Sequence, residues 1–291
     1  MPELPEVEVT RRRIAPLLVG RCIRSVRTTG RSALFLTEPA RLRRGLAGRT
    51  VEAVGRRGKY LVARLDEGSR LVVHLGMTGQ LFASGAASER LLSATARSAL
   101  GPEEQRGFRP DVHTHLRLGF EDAGPEVLLR DVRKFGKVLL LPRGESHPRL
   151  DRLGVDALRV TGEGLFRASR GRSAAVKTLL LDQAVITGVG NIYADEALFR
   201  VGVRPTRRSG RVTRRECEAL ARAIRQVMRR SIATGGSSIR DYVAPDGSDG
   251  AYQDERRVYA RAGEPCFRCG RPVRRIVVGQ RGTHYCPGCQ R

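Results

Sequence analysis

The 291-residue chain contains no run approaching the ~18 uninterrupted apolar residues of a membrane-spanning helix, which excludes such a span. Its opening, Met1-Pro2-Glu3-Leu4-Pro5-Glu6, lacks the basic and apolar regions of a secretion signal, so a cytoplasmic protein is expected. No internal repeat is visible, and tryptophan is absent. Lysine is scarce: of 54 Lys plus Arg only four are lysines, Lys59, Lys134, Lys137 and Lys177. A GC-rich coding sequence accounts for arginine wherever either cation serves. The surviving lysines therefore draw notice, because an amine can lose its proton and a guanidinium in practice cannot. Acid is short as well, and 30 Asp plus Glu leave a net charge of +24. Mere solubility does not require that bias, whereas attraction to a polyanion does, so the charge supports nucleic-acid binding. Length and a 40% hydrophobic composition allow a real core in one large domain or two ordinary ones.

The six cysteines divide cleanly. Cys22 and Cys217 stand alone as small hydrophobes. Cys266, Cys269, Cys286 and Cys289 form two C-x-x-C knuckles, the spacing of one structural zinc ion (Zn2+) held by four thiolates. No ligand position is left open for catalysis. A disulfide framework is disfavoured because nothing implies an oxidising compartment. Residues 274–278 and 283–285 can pair as a hairpin, and the seven Arg of residues 261–291 make this ribbon basic.

Elsewhere the chain changes texture near residue 142. Helical spacing after Pro5 predicts a helix over 5–18, bent near Pro16 and ended by Gly20. Short β-rich segments at 22–28, 51–56, 60–65, 71–75, 114–120, 127–130 and 137–141, with polar turns, suggest a β-sandwich or barrel. Residues 83–109 read as an exposed insertion with a short helix over 88–100. Beyond linker turns at Pro142 and His147-Pro148, helices are expected at 164–170, 174–181, 191–200 and 213–232, the last opened by a Thr213–Glu216 capping box. A Gly/Ser-rich loop at 235–250 precedes the ribbon.

Three segments carry chemistry. Gly188-Val189-Gly190-Asn191 opens a helix, where free N–H groups and an Asn amide suit a phosphate. The rival dinucleotide fingerprint fails: Tyr193 replaces its third glycine, the preceding segment looks helical, and arginines stand near position 208. Met77 between glycines, and Arg133 with Phe135 beside Gly136, fit either core filling or a wedge that opens a duplex. At the N-terminus, removal of Met1 would expose the Pro2 amine beside Glu3. An α-amino group has a pKa near ~8, so a useful fraction is unprotonated at neutral pH. Such a secondary amine can attack a sugar carbon to give an iminium ion while a carboxylate moves protons; the alternative is helix-dipole compensation by Glu3, Glu6 and Glu8.

Taken in order, Pro2-Glu3-Leu4-Pro5-Glu6-Val7-Glu8, Arg57-Gly58-Lys59-Tyr60-Leu61, His74-Leu75-Gly76-Met77-Thr78-Gly79, residues 131–136, Leu179-Leu180-Leu181-Asp182-Gln183, residues 188–193 and the four-cysteine ribbon resemble the bacterial formamidopyrimidine-DNA glycosylases over nearly the whole chain. Leu4 resembles this branch more than the related endonuclease VIII branch. The resemblance implies an α+β, two-domain enzyme. An N-terminal β-sandwich with an N-terminal helix spans 2–141, a linker 142–160, a helix-two-turn-helix domain with a lesion-capping loop 161–256, and a zinc finger 257–291. A monomer is expected, because no separate oligomerisation segment is visible, and its place would be the bacterial cytoplasm, associated with the nucleoid. Its partner would be double-stranded DNA containing oxidised bases or abasic sites, lying in the cleft between the domains. An oxidised purine, such as 8-oxoguanine or a formamidopyrimidine, would be flipped out and excised, and the strand nicked by β,δ-elimination.

The same resemblance makes Pro2 the nucleophile, Glu3 the proton shuttle and Lys59 the helper in elimination. Met77, Arg133 and Phe135 would fill the hole left by the base. Asn191 and Arg281 would clamp phosphates; a guanidinium with a pKa above ~12 is a poor acid, so the electrostatic role is favoured for Arg281 over proton donation. His74, His113, Arg172 and Lys177 match positions near DNA or lesion; for His113 the alternative is a satisfied surface histidine, and a His113-x-His115 metal pair is weaker than either. Ala251 and Arg256 depart from the family pattern, and so does the long 83–109 segment. Two other readings stand beside this one: the same chemistry on oxidised pyrimidines, and a silent zinc-ribbon DNA binder.

Overall fold

A computed structural model describes residues 2–30, 32–86, 110–237, 244–246 and 248–291. The predicted helix over 88–100, with most of the 83–109 insertion, lies outside the described residues, as does part of the 235–250 loop. The chain forms two compact units, Met1–Pro148 with Thr234–Ala251, and Arg149–Ala233 with Tyr252–Arg291. This division differs from the expected one twice. Residues 149–160 are part of the second unit instead of a linker, because Val155–Asp156 pairs in parallel with Ile186–Thr187. The loop 234–251 belongs to the first unit, where the Ser237 N–H donates to Glu6 Oε1 at 2.9 Å.

In the first unit, helix α1 (Leu4–Ile14) precedes two four-stranded antiparallel sheets. The strands are β1 (Ile23–Thr28), β2 (Val51–Arg57), β3 (Tyr60–Leu65), β4 (Arg70–His74), β5 (Gly79–Ala83), β6 (Thr114–Phe120), β7 (Val127–Asp131) and β8 (Lys137–Leu141). One sheet runs β1-β6-β7-β5 and the other β2-β3-β4-β8. Leu116, Leu118 and Leu129 of the first and Leu61, Ala63, Val73 and Val138 of the second share one apolar core, so the fold is a β-sandwich. Helix α2 (Pro39–Leu46), which the sequence reading missed, adds Leu42 and Leu46 to that core. Strand β5 was missed too: Gly79-Gln80-Leu81-Phe82 is buried on both faces and shows no alternation. The α-helical part of the opening helix ends at Ile14, earlier than expected, and a 3-10 turn carries Pro16, whose ring cannot sit over a continuing α-turn.

The second unit contains the short α3 (Pro148–Asp151), β9 (Val155–Asp156), α4 (Gly162–Ser169), α5 (Val176–Leu181), β10 (Ile186–Thr187), α6 (Asn191–Val201) and α7 (Arg214–Ala233). The hairpin β11 (Arg274–Val278) and β12 (Arg281–Tyr285) completes it. The α3 helix starts at Pro148, the residue where the first unit's opening segment ends and where a plain turn was expected. Helix α6 is buried from Ile192 to Phe199, and α7 packs on it through Leu220, Ile224, Val227 and Met228 at helical spacing. The capping box of α7 forms as predicted, with Thr213 N donating to Glu216 Oε2 at 2.8 Å and Glu216 N to Thr213 Oγ1 at 3.2 Å. Before α6 the chain is a short strand, not the expected helix, and Gln183 staples that turn through Gly188 N and Val189 O.

Helix α1 is tied to the sandwich by Glu8, which accepts from Arg11 at 2.8 Å, Arg12 at 2.9 Å and Arg56 of β2 at 3.2 Å. Burial alone would raise this carboxyl, but the arginines outweigh it and bring its pKa from 4.5 down to about 2. A depressed carboxylate stabilises the fold above its ordinary pKa, and that contribution fades as pH falls toward the folded value. Glu8→Gln is therefore expected to lower Tm clearly at pH 6, with the gap to the parent narrowing by pH 3; thermal scans at the two pH values check it.

Candidate active site and nucleic-acid interface

The N-terminal segment is buried without a break from Pro2 to Thr10. Glu3, 2% exposed, is the N-cap of α1, and Glu6 closes a capping box by accepting the Glu3 N–H at 2.8 Å. The two oxygens of Glu6 thus join the Pro2-Glu3 opening to Ser237 of the 234–251 segment. The link to Ser237 is not readable from sequence spacing.

Lys59 sits in the two-residue turn between β2 and β3, whose flanking pair is Arg57 and Tyr60. Gly58 takes φ +58°, the geometry a tight hairpin asks of its first central residue and that glycine adopts without strain. Arg56 Nη1 donates to Gly58 O at 2.9 Å, so Glu8 braces this turn through Arg56. Lys59 is buried. His74, at the end of β4, pairs with Tyr60 and packs against its ring at 4.7 Å; its Nδ1 accepts the Gly76 N–H at 3.0 Å. The histidine therefore connects the lysine turn with the turn that bears Met77.

Met77 and Phe135 are 38% and 48% exposed, against the core-filling alternative. The Arg133 guanidinium lies over the Phe135 ring at 4.5 Å. His113 is half-buried; its N–H donates to Asp111 Oδ1 at 3.0 Å and its carbonyl accepts the Asp131 N–H at 2.9 Å. The metal-pair alternative fails, since both ring nitrogens of His115 meet protein groups, Thr29 Oγ1 and Asp131 O. Burial lowers the pKa of His115, which favours the neutral ring.

In the second unit the hairpin tip is Gly279-Gln280, both with positive φ, and Arg281 begins the return strand exposed. Gly282 O accepts from Asn191 Nδ2 at 2.9 Å and from Lys177 Nζ at 3.1 Å, which brings Asn191 and Arg281 to one corner. Lys177 itself corrects the sequence reading. It is wholly buried and paired at 2.7 Å with Asp195, also wholly buried, so it fastens the ribbon to α6 and presents no surface to DNA. Asp195 and Glu196 were not singled out from sequence. The first accepts His284 N at 2.8 Å, and the second gathers the N–H groups of Arg257, Val258 and Tyr259. Their position on a helix buried all round is the only signal that could have found them. Arg172 is exposed and salt-bridged to Asp182 at 3.1 Å. The unusual Arg256 donates to Gln253 O, while Tyr252 is buried against Tyr193.

The Sγ atoms of Cys266, Cys269, Cys286 and Cys289 lie within 4.8 Å of one another, with 3.9 Å between Cys266 and Cys289 and 3.4 Å between Cys269 and Cys286. Zn–S bonds of ~2.3 Å in a tetrahedron put sulfurs ~3.8 Å apart, so the donor set and its spacing fit one structural zinc.

Residues 1–138 match the formamidopyrimidine-DNA glycosylase N-terminal domain, 153–243 the H2TH domain of the same glycosylases, and 263–291 the zinc finger found in FPG and IleRS. The chain belongs to the formamidopyrimidine-DNA glycosylase family. It is 44% identical over 304 residues to the formamidopyrimidine-DNA glycosylase of Cupriavidus pinatubonensis and 43% over 300 residues to that of Herminiimonas arsenicoxydans, each covered in full together with this chain. The MutM (FPG) protein of Thermus thermophilus is similar in structure, with TM-score 0.82, 40% identity and coverage of 99% of this chain and 98% of that one. The Lactococcus lactis Fpg in complex with DNA containing an abasic site has TM-score 0.85 at 32% identity, covering 99% of both chains. Among the described residues of this glycosylase-family chain, no helix is long and apolar enough to cross a membrane.

Removing the Lys177 amine would leave the buried Asp195 carboxylate without its cationic partner. Lys177→Ala is therefore expected to destabilise the second unit by about 3–5 kcal/mol. Denaturant unfolding, followed by a probe in that unit, measures it.

Proposed function

We propose that the chain is a base-excision-repair DNA glycosylase and abasic-site lyase, acting on oxidised purines such as 8-oxoguanine and formamidopyrimidines in duplex DNA. The observation that carries this reading is that the Pro2-Glu3 opening and the turn-borne Lys59 are each buried, in a chain matched end to end by formamidopyrimidine-DNA glycosylases. In this reading the Pro2 nitrogen attacks C1′ of the extruded nucleotide, the bond from C1′ to the base breaks, and an iminium ion remains on the protein. Glu3 gives and takes the protons that sugar opening and elimination require, and Lys59 holds phosphate and assists elimination. Successive β- and δ-eliminations then release the strand with a phosphate at both ends of the gap.

The remaining residues hold the substrate. Met77, Arg133 and Phe135 enter the space vacated by the base, with His74 and His113 supporting that side. Asn191 and Arg281 bind flanking phosphates: the Asn amide spends one hydrogen on Gly282 and keeps a second for a phosphate oxygen. Arg172 joins them on exchange of Asp182 for phosphate. The +24 charge favours association with the duplex, consistent with a nucleoid-associated, cytoplasmic enzyme.

Borohydride trapping on a duplex with one 8-oxoguanine opposite cytosine tests the chemistry. A covalent adduct mapped to the Pro2 nitrogen is expected, absent in Pro2→Gly, and Glu3→Gln should slow excision by ~10²–10⁴-fold. Tight binding with neither adduct nor nick would overturn the lyase reading for this lesion. A panel of oxidised pyrimidines would then separate altered specificity from passive binding.

A further inference from the structure

We infer that Asp131 is a positioning residue for base extrusion, its buried carboxylate locking the Met77 turn and the Arg133–Phe135 loop into one rigid wedge. The inference rests on the wedge role proposed above for those three side chains.

Asp131 ends β7 opposite Gly79 of β5 and is wholly buried. Its Oδ1 accepts from Thr78 Oγ1 at 2.5 Å and from Arg133 N at 3.3 Å, and its Oδ2 accepts from Gly136 N at 2.7 Å. One carboxylate therefore receives the residue after Met77 and both ends of the loop that carries Arg133 and Phe135. Thr78 Oγ1 also accepts from Arg133 N at 3.2 Å, which closes a small ring of bonds across the two segments. The backbone of Asp131 is equally committed. Its N–H goes to His113 O, and its carbonyl takes His115 Nε2 at 3.1 Å and Lys134 N at 3.3 Å. No polar atom of this residue serves solvent.

The two segments also touch directly. A Cβ on Gly76, itself at φ +63°, would lie 2.5 Å from both Gly136 N and the Phe135 carbonyl carbon. Lys134 is held at φ +55°, a left-handed conformation that a non-glycine residue keeps only when its surroundings enforce it. A wedge that must stop a base from restacking works only if its backbone does not yield, and side chains on two separate turns would otherwise move independently. The carboxylate, with acceptors on both oxygens, is the group that satisfies three converging donors; an amide would turn its own NH2 toward at least one of them.

Asp131→Asn preserves shape and removes one acceptor. It is expected to lower excision of 8-oxoguanine from duplex DNA by about 10- to 100-fold. Cleavage of a preformed abasic site should fall much less, because no base has to be unstacked there. Thr78→Val, which keeps the carboxylate and removes one donor, should show the same split more weakly, and serves if Asp131→Asn does not fold. Fluorescence of a 2-aminopurine next to the lesion reads extrusion directly and should drop in step with excision. Met77→Ala and Phe135→Ala act as controls for the underlying reading. If they are impaired while Asp131→Asn and Thr78→Val excise normally, the positioning inference is overturned and the wedge survives. If they excise normally, the wedge reading fails and the inference falls with it. Equal loss of excision and abasic cleavage in the Asp131 and Thr78 variants would mark a purely structural role and also overturn it.

Discussion

A chain end that buries three carboxylates must give each of them a partner. Residues 2–10 enter the first unit without an exposed position, and Glu3, Glu6 and Glu8 all go in with them. An unpaired buried charge would cost several kcal/mol, so the acids dictate what surrounds them. Glu6 completes the helix cap and takes the Ser237 N–H; Glu8 gathers three arginines, one from the neighbouring strand. Chain termini ordinarily fray, and here the acidic face of α1 is what prevents it. A terminal amine used as a nucleophile requires such a fixed end.

The same economy recurs in the other parts of the site. Buried acids act as clamps throughout: Asp131 for the Met77 and Phe135 loops, Asp195 and Glu196 for the ribbon. In a chain with so many arginines, the scarce acids hold irregular backbone in place. Loops that present side chains to a ligand cannot draw on sheet or helix bonding for rigidity, and a carboxylate accepting several N–H groups substitutes for it. The zinc knuckles do this by metal coordination in place of an acid, so the Arg281 hairpin is fixed from both sides.

Patterns that repeat within a few residues were readable in advance. The α1 spacing, the Thr213–Glu216 box, most of the strands and the C-x-x-C pairs depend on local periodicity or on ligand spacing, and the structure has them close to where they were expected. Strand β5 and helix α2 were not readable, because a segment buried on both faces has no alternation, and the helical spacing of Pro39, Leu42 and Leu46 spans only two turns of an eight-residue helix. Lys177 was misjudged for a related reason. A lysine in sequence looks like a surface cation, and only the presence of Asp195 and Gly282 around it makes a buried one stable.

By itself, then, the sequence determined the ingredients: a basic chain, a four-thiolate zinc ribbon, a proline-glutamate opening, a lone lysine in a glycine turn, and apolar side chains between glycines. Each is a property of nearby residues, fixed by spacing and composition. Only the tertiary structure decided which charges are buried and whom they meet, because those partners are far apart in sequence: Glu6 with Ser237, Glu8 with Arg56, Thr78 with Asp131, Lys177 with Gly282. Hydrogen bonds of this kind carry no periodic trace along the chain, since their geometry exists only once the sheets and helices have packed.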